Sequence, residues 1–244
     1  MPGSMLEPMS LERYSSAVLA LLDTIFEEEA PAMRTAATWI ADAVAEDHLI
    51  YTFGTGHSHV LASEMFHRAG GLASVSLMVE PGATFQVGAL AGTLLERTAG
   101  YGSIIAGRYP IEPGDVLIAI SNSAANAVVL EVAQAAKARG ARVMALLSRQ
   151  YAQKKRSPML GIADLVLDNH GPAGDALVEI GSETVGPIST VAGAFILNAI
   201  WCEAAYLLYH RGLPIPAYRS SNMPGAEAHN TRWIEHLKGR VRHL

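Results

Sequence analysis

The segment His48-Leu-Ile-Tyr-Thr-Phe-Gly-Thr-Gly-His-Ser-His59 changes character halfway along. Its first six residues form a short apolar run rich in β-formers, which reads as a buried strand. Glycines and small hydroxyl residues then break the run, and a helical pattern follows at once, from Val60 to about Ala69. Gly70-Gly71 ends that pattern, as glycine does at a helix C-terminus. A strand that feeds a helix through such a turn is half of a β–α–β unit. The segment therefore predicts an α/β fold with parallel strands.

The same grammar recurs outward from it. Val75 to Val79 reads as a strand, Pro81-Gly82 as a turn and Val87 to Arg97 as a helix broken at Gly100-Tyr-Gly102. Pro113-Gly-Asp115 announces the strand Val116–Ile120. That strand ends in Ser121-Asn-Ser-Ala-Ala-Asn126, which opens a helix running to about Arg139 and stopped by Gly140. Arg142 to Leu147 and Asp164 to Leu167 are further strands, separated by an irregular stretch rich in Gln, Lys and Arg. Near-continuous apolar strands alternating with helices predict a parallel sheet covered on both faces. Before it, Leu6 to about Asp47 reads as two helices divided at Pro31. After it come a long apolar segment, Val185–Tyr209, and a last helix, Asn230–Lys238. We expect one domain, 6–244, with a helical arm at 6–47, and residues 1–5 as a tag remnant or disordered lead.

Composition narrows the function. Half of the 244 residues are hydrophobic, which excludes a disordered chain. The net charge is −5 with no extended basic block, and the last few residues (Lys238, Arg240 and Arg242) are locally basic, so nucleic acid is not the expected partner. A single cysteine, Cys202, excludes an internal disulfide and a Cys-rich metal site and fits a reducing, cytoplasmic setting. No signal peptide is read at the N-terminus. Val185–Tyr209 carries Asn198 and Glu203, with Pro187 near its start, and reads as a buried helix rather than a membrane span.

Ligands of open parallel sheets bind beyond the carboxyl ends of the strands. Two loops fall there. Gly54-Thr-Gly-His-Ser-His59 combines glycines, which admit a ligand close to the backbone, with hydroxyls and the start of a helix, which favours an anion. Ser121-Asn-Ser-Ala-Ala-Asn126 places two serines and an asparagine at another helix start. Capping accounts for one of them. Three short-armed donors suit a phosphate without any lysine. The dinucleotide fingerprint fails, because its third glycine position is His59 and no acid stands about 20 residues on. No Walker loop is present either.

These motifs together resemble the sugar isomerase (SIS) domain family, and within it the UPF0309 group. Besides the two loops, the resemblance rests on Glu64-Met-Phe-His-Arg-Ala-Gly-Gly71, Asp168-Asn169, Gly171-Pro-Ala-Gly-Asp175, Gly186-Pro-Ile-Ser-Thr-Val-Ala-Gly193 and Gly225-Ala-Glu-Ala-His-Asn230. It spans residues 6–237. It implies a three-layer α/β/α sandwich with a five-stranded parallel sheet, homodimers or homotetramers with sites near subunit interfaces, and a phosphorylated sugar as ligand. By the family pattern Ser121, Ser123 and Asn126 match the phosphate loop and Ser58 matches the first-loop serine. Gly56, His59 and Asn122 complete the expected binding set. One departure stands out: many members carry Gly where this chain has Ala124, which would be strained at positive φ. His170 stands where a small residue is expected.

Aldose–ketose isomerisation needs a base and a proton shuttle. Glu64, six residues after Ser58 on the helix that opens the site, is the expected base; His57 and His229 are the expected acid–base partners, with Glu183 a weaker carboxylate. His57, Glu64 and His67 lack metal-site spacing, so no metal and no cofactor is assigned. The leading reading is an isomerase of a hexose or N-acetylhexosamine phosphate, with no nucleic-acid and no membrane partner. A lyase or etherase acting on an amino-sugar phosphate, and a non-catalytic phosphosugar sensor, are the alternatives.

Overall fold

The computed structural model describes residues 10–244; the expectation for residues 1–5 lies outside them. Five strands form one parallel sheet: β1 (Ile50–Gly54), β2 (Val75–Leu77), β3 (Val116–Ile120), β4 (Arg142–Leu147) and β5 (Leu165–Asp168). Their order across the sheet is β2-β1-β3-β4-β5. Side chains alternate between two cores, as the pleat dictates. Ile50, Val116, Ile118, Ile120, Met144 and Leu146 enter one. Tyr51, Phe53, Leu117, Ala119, Val143, Ala145 and Leu147 enter the other. Both faces are buried, which is why the strands read as unbroken apolar runs.

Helices α1 (Ser10–Ala45), α2 (Ser58–Glu64) and α8 (Ser189–His210) cover the first face. Helices α4 (Tyr101–Gly107), α5 (Ala127–Ala138), α6 (Arg149–Lys154), α7 (Met159–Ile162) and α9 (Ala226–Leu237) cover the second. A short helix, α3 (Ala89–Leu95), stands near the strand ends. The result is the three-layer sandwich with a five-stranded parallel sheet.

Several elements differ from the sequence reading. α1 is one helix that runs through Pro31. An interior proline costs about 3 kcal/mol. Burial of Ile25 on one side of it and Met33, Ala37 and Ile40 on the other offsets this, at about 1.5–3 kcal/mol per large side chain. Gly100 and Gly102 do not end a helix but begin α4. Gly100 is left-handed at its N-cap (φ 84°), and Gly102 lies where a Cβ would strike the Val128 carbonyl of α5. The Gln/Lys/Arg-rich stretch contains α6 and α7. α2 stops at Glu64, five residues short of Ala69, and α9 starts at Ala226 rather than Asn230. The region containing Glu183 is an antiparallel hairpin, β6 (Ala176–Ile180) and β7 (Glu183–Pro187), turning at Gly181-Ser182.

α8 is long and apolar enough to cross a membrane by length and composition alone. One face of it, with Ala192, Gly193, Ile196, Leu197, Ile200, Trp201, Ala204 and Leu208, is buried in the first core. The sheet also fixes where a ligand can sit. β1 and β3 are neighbours with Gly54 paired to Ile120, so the two loops leave the sheet side by side. Strand order reverses at this point, the crevice at which such sheets bind ligands.

Candidate functional site

A cleft of about 350 Å³ opens at the ends of β1 and β3. Thr55, Gly56, His57 and Ser58 line it from the first loop, and Ser121, Asn122, Ser123 and Asn126 from the second. The size falls within the usual range for small-molecule sites.

The first loop is shaped by close approach. A Cβ on Gly54 would lie 2.6 Å from the Ser58 carbonyl, so only glycine lets α2 start this near the strand. Gly56 takes a left-handed φ of 52°. His57 stands at the α2 N-cap and makes no capping bond; its ring stacks on Phe85 with centroids 4.8 Å apart.

The second loop is shaped by a locked strain. Ala124 is left-handed (φ 48°) and buried, the conformation anticipated from glycine at this place in the family. Its amide donates to Ser121 Oγ at 3.1 Å, and its carbonyl accepts from the Ser157 hydroxyl. Ser121 still has its own hydroxyl proton to give. Asn126 occupies the α5 N-cap with extended backbone and makes no side-chain cap. Among the described residues, the amides of Ser123, Ala125 and Asn126 find no protein acceptor. Ser123 and Asn126 line the cleft, so their free amides stand at the start of α5 with the helix dipole behind them, while the Val128 amide of its first turn donates to the Glu96 carbonyl at 3.1 Å.

Around the loops stand groups that the motif reading did not single out as a site. Glu96, at the end of α3, accepts from Thr55 Oγ1 at 2.8 Å and lines the cleft. Asp175 lines it too, accepting from the Ser189 amide at 2.8 Å and the Ser189 hydroxyl at 2.7 Å, which caps α8. Asn169 donates to Asn122 Oδ1 at 3.0 Å and forms part of the wall. Tyr151 comes from α6. No lysine or arginine is among the lining residues.

Three expected residues sit elsewhere in this chain. Glu64 is half-exposed and paired with Arg68, four residues on. His59 is buried on α2, with Nε2 3.1 Å from Ser63 Oγ and Nδ1 unpartnered; burial pushes its pKa below the ordinary 6.5 and keeps the ring neutral. His229 lies on α9 and donates from Nε2 to the Ala217 carbonyl at 2.8 Å. His67 packs on Tyr218, so His57, Glu64 and His67 are not gathered at one point.

Comparison with known proteins follows the same lines. The SIS domain family model matches residues 13–148. A UPF0309 protein of Brucella canis is 41% identical over 238 residues, which is 96% of this chain and 98% of the relative. The chain belongs to the SIS domain family. Its UPF0309 relatives include one from Brucella abortus strain S19, 40% identical over the same 238 residues. Among solved structures, phosphoheptose isomerase GmhA from Neisseria gonorrhoeae matches with a TM-score of 0.54 at 18% identity, over 80% of this chain and 96% of that one. The Vibrio vulnificus NanR protein complexed with ManNAc-6P matches at 0.53 and 16%, over 93% of this chain and 68% of that one. At such identities the likeness establishes a common SIS fold.

Proposed function

We propose that this SIS protein binds a hexose or N-acetylhexosamine phosphate in the β1/β3 cleft and interconverts its aldose and ketose forms. The observation that carries the reading is one cleft lined by Ser121, Ser123 and Asn126 at the start of α5, whose N-cap side chain makes no cap, together with the Glu96 carboxylate and the His57 imidazole. The phosphate sits on the second loop and the sugar extends toward the first. Glu96 removes the proton from the carbon beside the carbonyl, giving an enediol, and returns it to the neighbouring carbon. His57 moves the second proton between the two oxygens. Thr55 holds the Glu96 carboxylate by its hydroxyl.

The reading moves the base from Glu64 to Glu96, because Glu64 is engaged by Arg68 outside the lining of its own chain's cleft. It keeps the expectation of a cytoplasmic homodimer or homotetramer, supported by apolar side chains such as Leu90, Leu94, Tyr206 and Tyr209 left exposed on α3 and α8. Neither nucleic acid nor membrane enters it.

The test is turnover across a panel of sugar phosphates, followed by NMR. Glu96→Gln should lower kcat by about 10²–10⁴ while substrate still binds, and Glu64→Gln should leave kcat within a few-fold. The reverse pattern would return the base to Glu64. Lactate release from an ether-bearing amino-sugar phosphate would assign the lyase reading. Tight binding with conversion of no sugar would assign the sensor reading, which the ManNAc-6P complex of the NanR structure brings to mind.

A further inference from the structure

Away from the cleft lining, α1 and the end of β5 bring Glu29, Asp168 and His170 together, with one ligand-type atom of each within 4.8 Å of the others. The two carboxylates are nearly buried: Glu29 keeps 12% of its side-chain surface and Asp168 10%. Backbone donors reach both: Glu29 Oε2 accepts from the Asp168 amide at 3.2 Å, and Asp168 Oδ1 accepts from the Arg149 and His170 amides at 3.0 and 2.9 Å. Two carboxylates side by side in a low dielectric need positive charge close by. Among the described residues, the fixed cation beside them is Arg149, whose Nε lies 3.6 Å from Asp168 Oδ2, with its own side chain nearly half in solvent. Glu29 Oε1 instead faces His170 Nε2 at 3.4 Å.

We propose that Glu29, Asp168 and His170 bind a divalent transition-metal ion, with zinc as the reference. One imidazole nitrogen and two carboxylate oxygens form a mixed set that suits zinc. The second ring nitrogen of His170 faces the Glu28 carboxylate at 3.9 Å. A carboxylate behind a ligating histidine is the usual means of fixing its tautomer. His170 also borders a surface hollow shared with Arg13, Pro172 and Thr184, which gives an ion a route in from solvent. The site ties α1 to the sheet edge. It flanks Asn169 on both sides, and Asn169 holds Asn122 of the second loop. This metal is structural, and the inference does not depend on the proposed isomerisation.

The test titrates chelator-stripped full-length chain with Zn²⁺ by calorimetry. One equivalent should bind with micromolar or tighter affinity and raise the Tm. Co²⁺ in its place should give visible d–d bands, and X-ray absorption of the zinc form should report a single imidazole among oxygen ligands. His170 is left-handed (φ 52°); His170→Asn, which keeps a side chain that tolerates this backbone, and Glu29→Gln should each weaken binding at least tenfold and abolish the Tm rise. Less than a tenth of an equivalent bound by wild type would overturn the proposal. So would unchanged affinity in both variants, loss of binding in His57→Ala instead, or more than one imidazole in the absorption spectrum. Should neither variant fold, the wild-type stoichiometry and absorption spectrum decide.

Discussion

α5 and α8 both begin at the cleft, and they begin differently. α8 is capped from afar: Asp175 takes the Ser189 amide and hydroxyl. α6 is closed in the same manner, by Ser148 Oγ accepting from the Tyr151 amide. α5 carries an asparagine at the N-cap, a residue well suited to capping, yet that side chain does not cap. The Val128 amide of its first turn is taken by the Glu96 carbonyl at 3.1 Å, but the Ser123 and Asn126 amides ahead of it find no protein acceptor among the described residues. The contrast teaches that a good cap residue which declines to cap marks a receptor, whereas a helix start already closed by the protein marks structure.

The comparison can be broken most forcefully by making α5 resemble α8. Asn126→Asp puts a fixed negative charge where the ligand's phosphate is expected. Affinity for inorganic phosphate and for sugar phosphates should fall about a hundredfold, or about 2.7 kcal/mol, while thermal stability rises slightly through capping and the dipole. Unchanged affinity by calorimetry would mean that α5 is not the anion receptor.

The converse change opens α8. Asp175→Ala should cost about 1–2 kcal/mol of stability, a Tm drop of about 2–8 °C in a scan of the ligand-free chain. Phosphate affinity should change much less than in Asn126→Asp. A larger affinity loss than stability loss would move α8 from structure into the receptor.

Ala124→Gly sharpens the picture of the second loop. It relieves the left-handed strain, roughly 1–2 kcal/mol, but frees the unfolded chain and removes a buried methyl. A net gain of under about 1 kcal/mol is expected in urea melts. A clear loss would show that the Ser121 and Ser157 contacts already relax the position.

His59, in the first turn of α2, gives the smallest effect. Burial holds its folded-state pKa below 6.5, so the unfolded chain binds the proton first and stability falls as pH drops below about 6.5. His59→Gln should shrink the Tm difference between pH 7 and pH 5. An identical pH dependence in the variant would assign the acid sensitivity elsewhere.

Much of this was legible in the sequence, for a physical reason. Strands buried on both faces and loops rich in glycine and serine are local patterns, so the five-strand sheet and the paired loops could be read along the chain. The elements that were missed depend on distant contacts. Pro31 looks like a break until the packing of Ile25 and Met33 against the same core is known. Gly102 looks like a helix stop until α5 presses on it. The Gly181-Ser182 turn did carry a hairpin signal. Glu96 was invisible as a site residue because its partner, Thr55, is 41 positions away. At Ala124, by contrast, the glycine that many family members carry raised the question of a positive φ, and the backbone there is left-handed.

A receptor without lysine or arginine also has kinetic consequences. The chain carries a net charge of −5, and the cleft adds the Glu96 and Asp175 carboxylates to its rim. On the proposed reading, a phosphorylated sugar approaching it gains no long-range pull, so electrostatic steering does not hasten the encounter. Recognition starts only at contact, through short dipoles that ionic strength screens weakly. Such a protein trades speed of capture for indifference to the salt around it.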